Sequence, residues 1–264
     1  MTTPVSVPPS SWGCFAPGTF EGQVTLVTGA AGGMGREVAR AFHELGSTVV
    51  LTDVNGDAAA KVAAELGGTA SAIACDVADP AAVRAVYEHI DVDYGRIDNV
   101  ISCAAIITAT KALDLTPVHW RRVLDINLLG SFYVCQEAIR RMKTQGFGRI
   151  VAVASDAGKR GGGGLVADAA YAASKAGVHS IVKSLAREFA GQGVRINALT
   201  PGPTDTPMHS GLSQDLKDRI AAGLPIKRMG HPADMASAAV FLCSDAANLM
   251  YGASLNVDGG AMFE

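Results

Sequence analysis

The sequence predicts an α/β fold built on a doubly wound parallel sheet, and three observations lead there. Short β-branched runs alternate with helix-period segments from Gln23 onward. Several of these runs are apolar almost throughout, as expected of parallel strands covered on both faces. No linker or composition break interrupts the rhythm, so residues 23–264 read as one domain of repeated β-α-β units with right-handed crossovers.

The elements follow in order. QVTLVT (23–28) reads as the first strand, with a helix over about 34–45. STVVLTD (47–53) is the second strand; Asp57 is expected to cap a helix running to Leu66. ASAIACD (70–76) is the third strand. Asp79-Pro80, an N-cap followed by proline in the first turn, opens a helix to about Tyr94. IDNVISCAA (97–105) is the fourth strand, and Thr116-Pro117 repeats the cap-plus-proline device at the head of a long helix to Thr144. GRIVAVAS (148–155) is the fifth strand, followed by a run of glycines and a helix over 168–190. VRINALT (194–200) is the sixth. Helices near 213–222 and over 232–242 precede a last strand in ASLNVDGG (253–260).

Composition narrows the function classes. At 48% hydrophobic and 6% aromatic, the 264-residue chain packs its core from Ala, Val, Leu and Ile. A net charge of −3 provides no electrostatic footprint for nucleic acid or an anionic membrane. No apolar run reaches the ~18–20 residues of a membrane span. Residues 1–22, rich in Pro, Ser and Thr, lack the pattern of a signal peptide and read as a flexible or loosely docked N-terminal tail. The five cysteines are scattered and form no C-x-x-C pair, which points to free thiols in a reducing cytoplasm. The histidines do not cluster, so no metal site is expected.

Two motifs carry chemistry. TGAAGGMG (28–35) directly follows the first strand and opens the first helix, the context that makes a glycine motif a dinucleotide site. Gly29 permits the tight exit from the strand. Gly33 and Gly35 let the backbone approach a pyrophosphate at the helix N-terminus. Asp53, ending the second strand, is placed to accept hydrogen bonds from ribose hydroxyls and to repel a 2′-phosphate. Position 32 is glycine, not a cation that would pair such a phosphate, so NAD is favoured over NADP. Asp76 and Val77, after the third strand, are placed near the adenine.

The second motif is YAASK (171–175), which sets Tyr171 and Lys175 four residues apart on one helical face. A phenol with pKa near 10 is a poor proton carrier at neutral pH, and a neighbouring ammonium favours its ionised form. Ser155, ending the preceding strand, adds a hydroxyl. The pair alone is common in helices; the serine and the dinucleotide loop give it meaning.

Together these residues resemble the short-chain dehydrogenase/reductase family over about 20–262. The resemblance rests on TGAAGGMG, Asp76, DINLLGSF (125–132), VAVASDAG (151–158), YAASK, RINALTPGPTDTPM (195–208) and GASLNVDGG (252–260). It implies a single-domain Rossmann fold with a seven-stranded sheet in the order 3-2-1-4-5-6-7. It implies a catalytic set of Asn127, Ser155, Tyr171 and Lys175, with Tyr171 as general acid or base and Ser155 holding the substrate oxygen. Lys175 would lower the tyrosine pKa and bind the nicotinamide ribose, and Asn127 would hold a water in a proton relay. Met34, Cys103, Ala104, Pro201, Gly202, Thr204 and Thr206 would join the glycine loop and the acidic residues around the cofactor. The expected activity is hydride transfer between NAD(H) and a small secondary alcohol or ketone, in a homotetramer with the two longest helices at an interface.

Two other readings stay open. One is an NADPH-dependent 3-oxoacyl-(acyl-carrier-protein) reductase-like enzyme, which would usually carry a basic residue in the glycine loop. The other is a non-catalytic dinucleotide-binding regulator, which would typically lose the tyrosine or lysine. Where the family usually has Asn-Asn-Ala-Gly after the fourth strand, this chain has Ser102-Cys103-Ala104-Ala105. The substrate pocket is expected between Ser155, the residues after Ala105 and a short lid over 207–224, with Lys159 and Arg160 as candidate partners for an anionic substrate group. The glycines at 161–164 lengthen the interval between Ser155 and Tyr171 and predict a mobile or unusually turned wall beside the substrate.

Overall fold

The computed structural model describes residues 12–162, 167–209 and 211–263. Seven strands form one sheet in the order β3-β2-β1-β4-β5-β6-β7, every neighbouring pair parallel. They are β1 (Val24–Thr28), β2 (Thr48–Asp53), β3 (Ala70–Ala74), β4 (Asn99–Ser102), β5 (Gly148–Val153), β6 (Val194–Pro201) and β7 (Ser254–Val257). The long helices are α1 (Gly33–Glu44), α2 (Gly56–Leu66), α3 (Pro80–Tyr94), α4 (Pro117–Leu124), α5 (Ser131–Gln145), α7 (Ala169–Phe189), α8 (Gln214–Gly223) and α9 (Pro232–Cys243), with the single turn α6 (Ala157–Arg160) after β5.

Alternate residues of each central strand feed opposite cores, which is why these strands read as unbroken apolar runs. Leu26, Val50, Val100, Ile150 and Ile196 pack with Tyr87 of α3, Met142 of α5 and Val182 of α7. Val27, Leu51, Ile101, Val151 and Leu199 pack with Phe42 of α1 and with Met235 and Ala239 of α9. The strand ends carrying Asp53, Ser102 and Pro201 lie together at the carboxyl edge, where open α/β sheets place their ligands.

Two local expectations change. Asn55, not Asp57, caps α2: its side chain accepts from the Ala58 N–H at 3.1 Å. The helix starts at Gly56, where a Cβ would stand 2.7 Å from that of Ala74. The long helix after Thr116 is interrupted: α4 and α5 are joined by a π turn, Asp125–Gly130. Ser131 Oγ donates to the Asn127 carbonyl at 2.8 Å within this wider turn.

The described part of the N-terminal stretch, from Trp12, is docked on the domain. Trp12 is buried and donates from Nε1 to Glu44 at 2.8 Å. Phe20 is fully buried against Phe42, ring centroids 4.6 Å apart, and its N–H donates to the Leu45 carbonyl. Two large aromatic side chains anchor a polar-looking stretch whose average composition masks them. Residues 1–11 lie outside the described residues, as do 163–166 with Gly163 and Gly164 of the glycine run.

Candidate active site

The glycine loop between β1 and α1 is shaped by contacts that leave no room for side chains. Gly29 has φ +66°, and a Cβ there would meet Ala104 Cα at 2.8 Å. A Cβ on Gly35 would collide with the Gly29 carbonyl, so the first turn of α1 lies directly on the loop. Gly33 faces Thr206 across the cleft. Asp53 holds this loop from the side: Oδ2 accepts from Ala31 N–H at 3.1 Å and Oδ1 from Asn55 N–H at 3.0 Å. The open N-terminus of α1 fits a pyrophosphate, since Gly32 makes no side-chain cap there.

Three cavities run in series along the sheet edge. The outermost, about 630 Å³, is lined by Asp53, Asp76, Val77 and Ala104. The next, about 410 Å³, is lined by Gly29, Gly33, Met34, Gly35, Asp53, Cys103 and Thr206. The innermost, about 290 Å³, shares Met34, Cys103 and Thr206 with it and adds Ser155, Tyr171, Lys175, Pro201, Gly202 and Thr204. Of the catalytic and cofactor residues singled out in the sequence, Asn127 alone lines none of these three cavities. It sits fully buried in the π turn. Its Nδ2 donates to the Ile106 carbonyl and to Ser174 Oγ, and its Oδ1 accepts from Ile106 N–H.

Tyr171 and Lys175 come from the first turns of α7, and Ser155 from the end of β5. Burial pushes the Tyr171 hydroxyl up to about 12, opposed by its hydrogen bond with Ser155 and assisted by the charge of Asp156. Lys175 Nζ lies 5.9 Å from the Tyr171 ring centroid and donates to the Val153 carbonyl at 2.7 Å. Burial brings its own pKa down to about 8. Ser155 Oγ donates to Asp156 Oδ1 and accepts from Ala157 N–H, both at 3.2 Å. Behind it, His179 Nε2 is 3.3 Å from the Ser155 carbonyl and Nδ1 is 3.1 Å from Ser254 Oγ. A carbonyl can only accept, so the ring proton is on Nε2. Burial holds this histidine below its usual pKa, consistent with a neutral ring in that tautomer.

Helix α7 has an anchor that the motif reading missed. Asp168, buried to 2%, caps α7 through Oδ1 from Tyr171 N–H at 2.9 Å. Its Oδ2 takes Thr110 N–H at 3.2 Å and pairs with His119 Nε2 of α4 at 3.0 Å. Against the upward push of burial, these bonds hold its carboxyl below the usual range. An N-cap spacing three residues before Tyr171 was visible in the sequence; the partners on α4 and the 106–110 loop were not.

Where the family usually has asparagines, Thr28 Oγ1 accepts from Ala104 N–H at 3.1 Å and Ser102 Oγ donates to Ser131 Oγ at 3.5 Å. The loop after β4 is thus held with shorter side chains. Burial pushes the Cys103 thiol up to about 12, so it lines the cleft as a neutral group. Lys159 turns away from the cavity to Asn256 Oδ1 at 3.0 Å, whereas Arg160 lines it, paired to Asp156.

The comparisons with known proteins follow this geometry. A family model described as enoyl-(acyl carrier protein) reductase matches residues 29–262. A solved short-chain dehydrogenase/reductase described as a glucose/ribitol dehydrogenase, from Brucella melitensis, superposes with a TM-score of 0.88 at 32% identity, covering 94% of this chain and all of that one. The chain belongs to the short-chain dehydrogenase/reductase family. As a member it is an oxidoreductase acting on CH–OH groups with a nicotinamide dinucleotide. Among its curated relatives in this family, D-threitol dehydrogenase of Mycolicibacterium smegmatis is 39% identical over 91% of this chain and 93% of its own. The 3-oxoacyl-(acyl-carrier-protein) reductase of Escherichia coli is 34% identical over 91% and 98%.

Proposed function

We propose that the protein interconverts a small secondary alcohol and its ketone with NAD(H), Tyr171 exchanging the proton. The observation that supports it most is that Ser155, Tyr171 and Lys175 line one cavity opening onto the glycine-loop cleft. When bound, the dinucleotide supplies or takes the hydride; the protein positions and protonates. In oxidation Tyr171 takes the hydroxyl proton, and in reduction it returns one. Ser155 holds the substrate oxygen against Tyr171. Lys175 is placed to bind ribose hydroxyls and, with the Asn127 turn behind it, to pass the proton toward solvent.

In the cofactor cleft Asp53 takes the adenosine ribose, Asp76, Val77 and Ala104 bound the adenine, and Gly29, Gly33 and Gly35 admit the pyrophosphate. Met34, Cys103, Pro201, Gly202, Thr204 and Thr206 enclose the nicotinamide end. NAD is favoured over NADP because the loop carries no cation and Arg36, one turn on, is paired with Glu65 at 2.6 Å.

The carrier-linked reductase is the second reading, supported by the Escherichia coli relative and the family model. A screen of secondary alcohols, polyols and acyl thioesters with both dinucleotides separates the two. The first reading expects turnover of alcohols with NAD; a strong NADPH preference with acyl thioesters would replace it, and no hydride transfer anywhere would sink both. A cytoplasmic location fits the five free thiols. Exposed Leu129, Leu249, Tyr251 and Phe263 favour burial in a homotetramer. Light scattering should give four times the chain mass; a monomer would refute it.

A further inference from the structure

Asp156 is buried to 5%, yet it lines the same cavity as Ser155 and Tyr171. Its Oδ2 accepts from Arg160 Nε and Nη2, each at 2.8 Å. Among the described residues its Oδ1 receives only the longer 3.2 Å bond from Ser155. Arg160 has about half its side chain in solvent, and both residues line the cavity, with Arg160 on Oδ2 and Ser155 on Oδ1. Ile107, Ala157, Met208, Ile220 and Met229 contribute apolar surface to the same cavity.

An ion pair in an apolar wall offers an acceptor and a donor without net charge. A hydroxyl, which both donates and accepts, suits it; a carboxylate lodged beside Ser155 sits against Asp156 and is repelled. The oxygens of a gauche vicinal diol stand about one hydrogen-bond length apart. A hydroxyl resting on Ser155 therefore brings its neighbour within reach of Asp156 Oδ1.

We infer that Asp156, backed by Arg160, is a specificity-determining residue that takes the second hydroxyl of a vicinal diol whose first hydroxyl is oxidised. The inference rests on the dehydrogenase reading of the site. The second hydroxyl replaces Ser155 on Oδ1, which frees the serine proton for the reacting oxygen. The diol gives its hydride to NAD and the first hydroxyl proton to Tyr171, and leaves as the α-hydroxyketone with its second hydroxyl intact.

The test compares kcat/KM for 2,3-butanediol and 2-butanol with NAD in the wild type, Asp156→Ala and Asp156→Asn. Effects of Asp156 on Ser155 or on Tyr171 act on both alcohols and cancel in the ratio. The charged groups around Tyr171 (Lys175, Arg160, and the Asp168–His119 pair) are the same for both. The wild type should prefer the diol, and Asp156→Ala should cut the diol-to-alcohol ratio by about tenfold or more, the worth of a hydrogen bond to a charged group. Asp156→Asn, which keeps the shape and loses the charge, should cut it by a smaller factor. If Asp156→Ala does not fold by circular dichroism, the Asn variant decides alone. A ratio unmoved in the folded variants overturns the inference, as does a wild type that oxidises other alcohols without favouring the diol. A wild type that oxidises no alcohol sinks the dehydrogenase reading itself, and this inference with it.

Discussion

At the residue scale, burial opposes the charge states that the proposed proton transfer at Tyr171 would use. A phenol at about 12 is protonated at neutral pH, so it is present as the acid in reduction, though a weak one, and must be driven to its anion for oxidation. Replacing Tyr171 by Phe should lower kcat by about 10²–10⁴-fold, the usual worth of a placed acid or base. NADH affinity, read by fluorescence titration, should stay close to wild type; unchanged turnover would refute the role. Lys175 tells the same story through stability. Its folded pKa of about 8 lies below the ordinary 10.5, so the folded chain carries a desolvated ammonium below pH 8. Between pH 8 and 10.5 the unfolded chain binds more protons, so stability rises with pH, by about 3 kcal/mol over the whole window. Urea unfolding at pH 7 and 10 should show most of this gain in the wild type and lose it in Lys175→Met. Equal pH dependence in both would mean that the lysine is not desolvated.

At the element scale, the contact between α1 and the glycine loop is the tightest feature of the cofactor cleft. Gly35→Ala drives a methyl into the Gly29 carbonyl, and backbone cannot yield as a side-chain tip can. We expect about 2 kcal/mol or more of lost stability and a clear loss of NADH affinity, measured by urea unfolding and by titration. A variant with wild-type affinity would show that the helix can shift without cost to the site. The strands, the cap at Asp79 and the cap at Thr116 were legible because their signals are local. The π turn was not: DINLLG continues the helical pattern, and the close approach at Gly130, where a Cβ would stand 2.7 Å from Val77 Cγ2, is a tertiary contact. Asn127 was thus identified as a residue but not in its setting.

At the scale of the whole molecule, the segment from Trp12 closes the core that covers α1 and α9. Trp12→Ala should cost about 3 kcal/mol, which in a chain of this size lowers Tm by roughly 6–12 °C. A shift under about 2 °C in a thermal melt would mean that the segment is dispensable. Its docking was hidden because two aromatic anchors in a proline-rich stretch leave no periodicity to read.

The order of elements, the two-faced apolar strands and the spacing of YAASK are properties of neighbouring residues, so sequence alone reached the fold and the family and singled out the residues that the structure gathers around one cleft. Which carboxylate lines the cavity is a different kind of fact. Asp156 and Asp168 look like ordinary polar residues in the chain. Only the tertiary structure sets one in the cavity lining with Arg160 on its Oδ2 and makes the other the clasp between α4, α7 and the loop after β4. Burial and the direction of a side chain are set by parts of the chain far apart in sequence, and no local pattern encodes them.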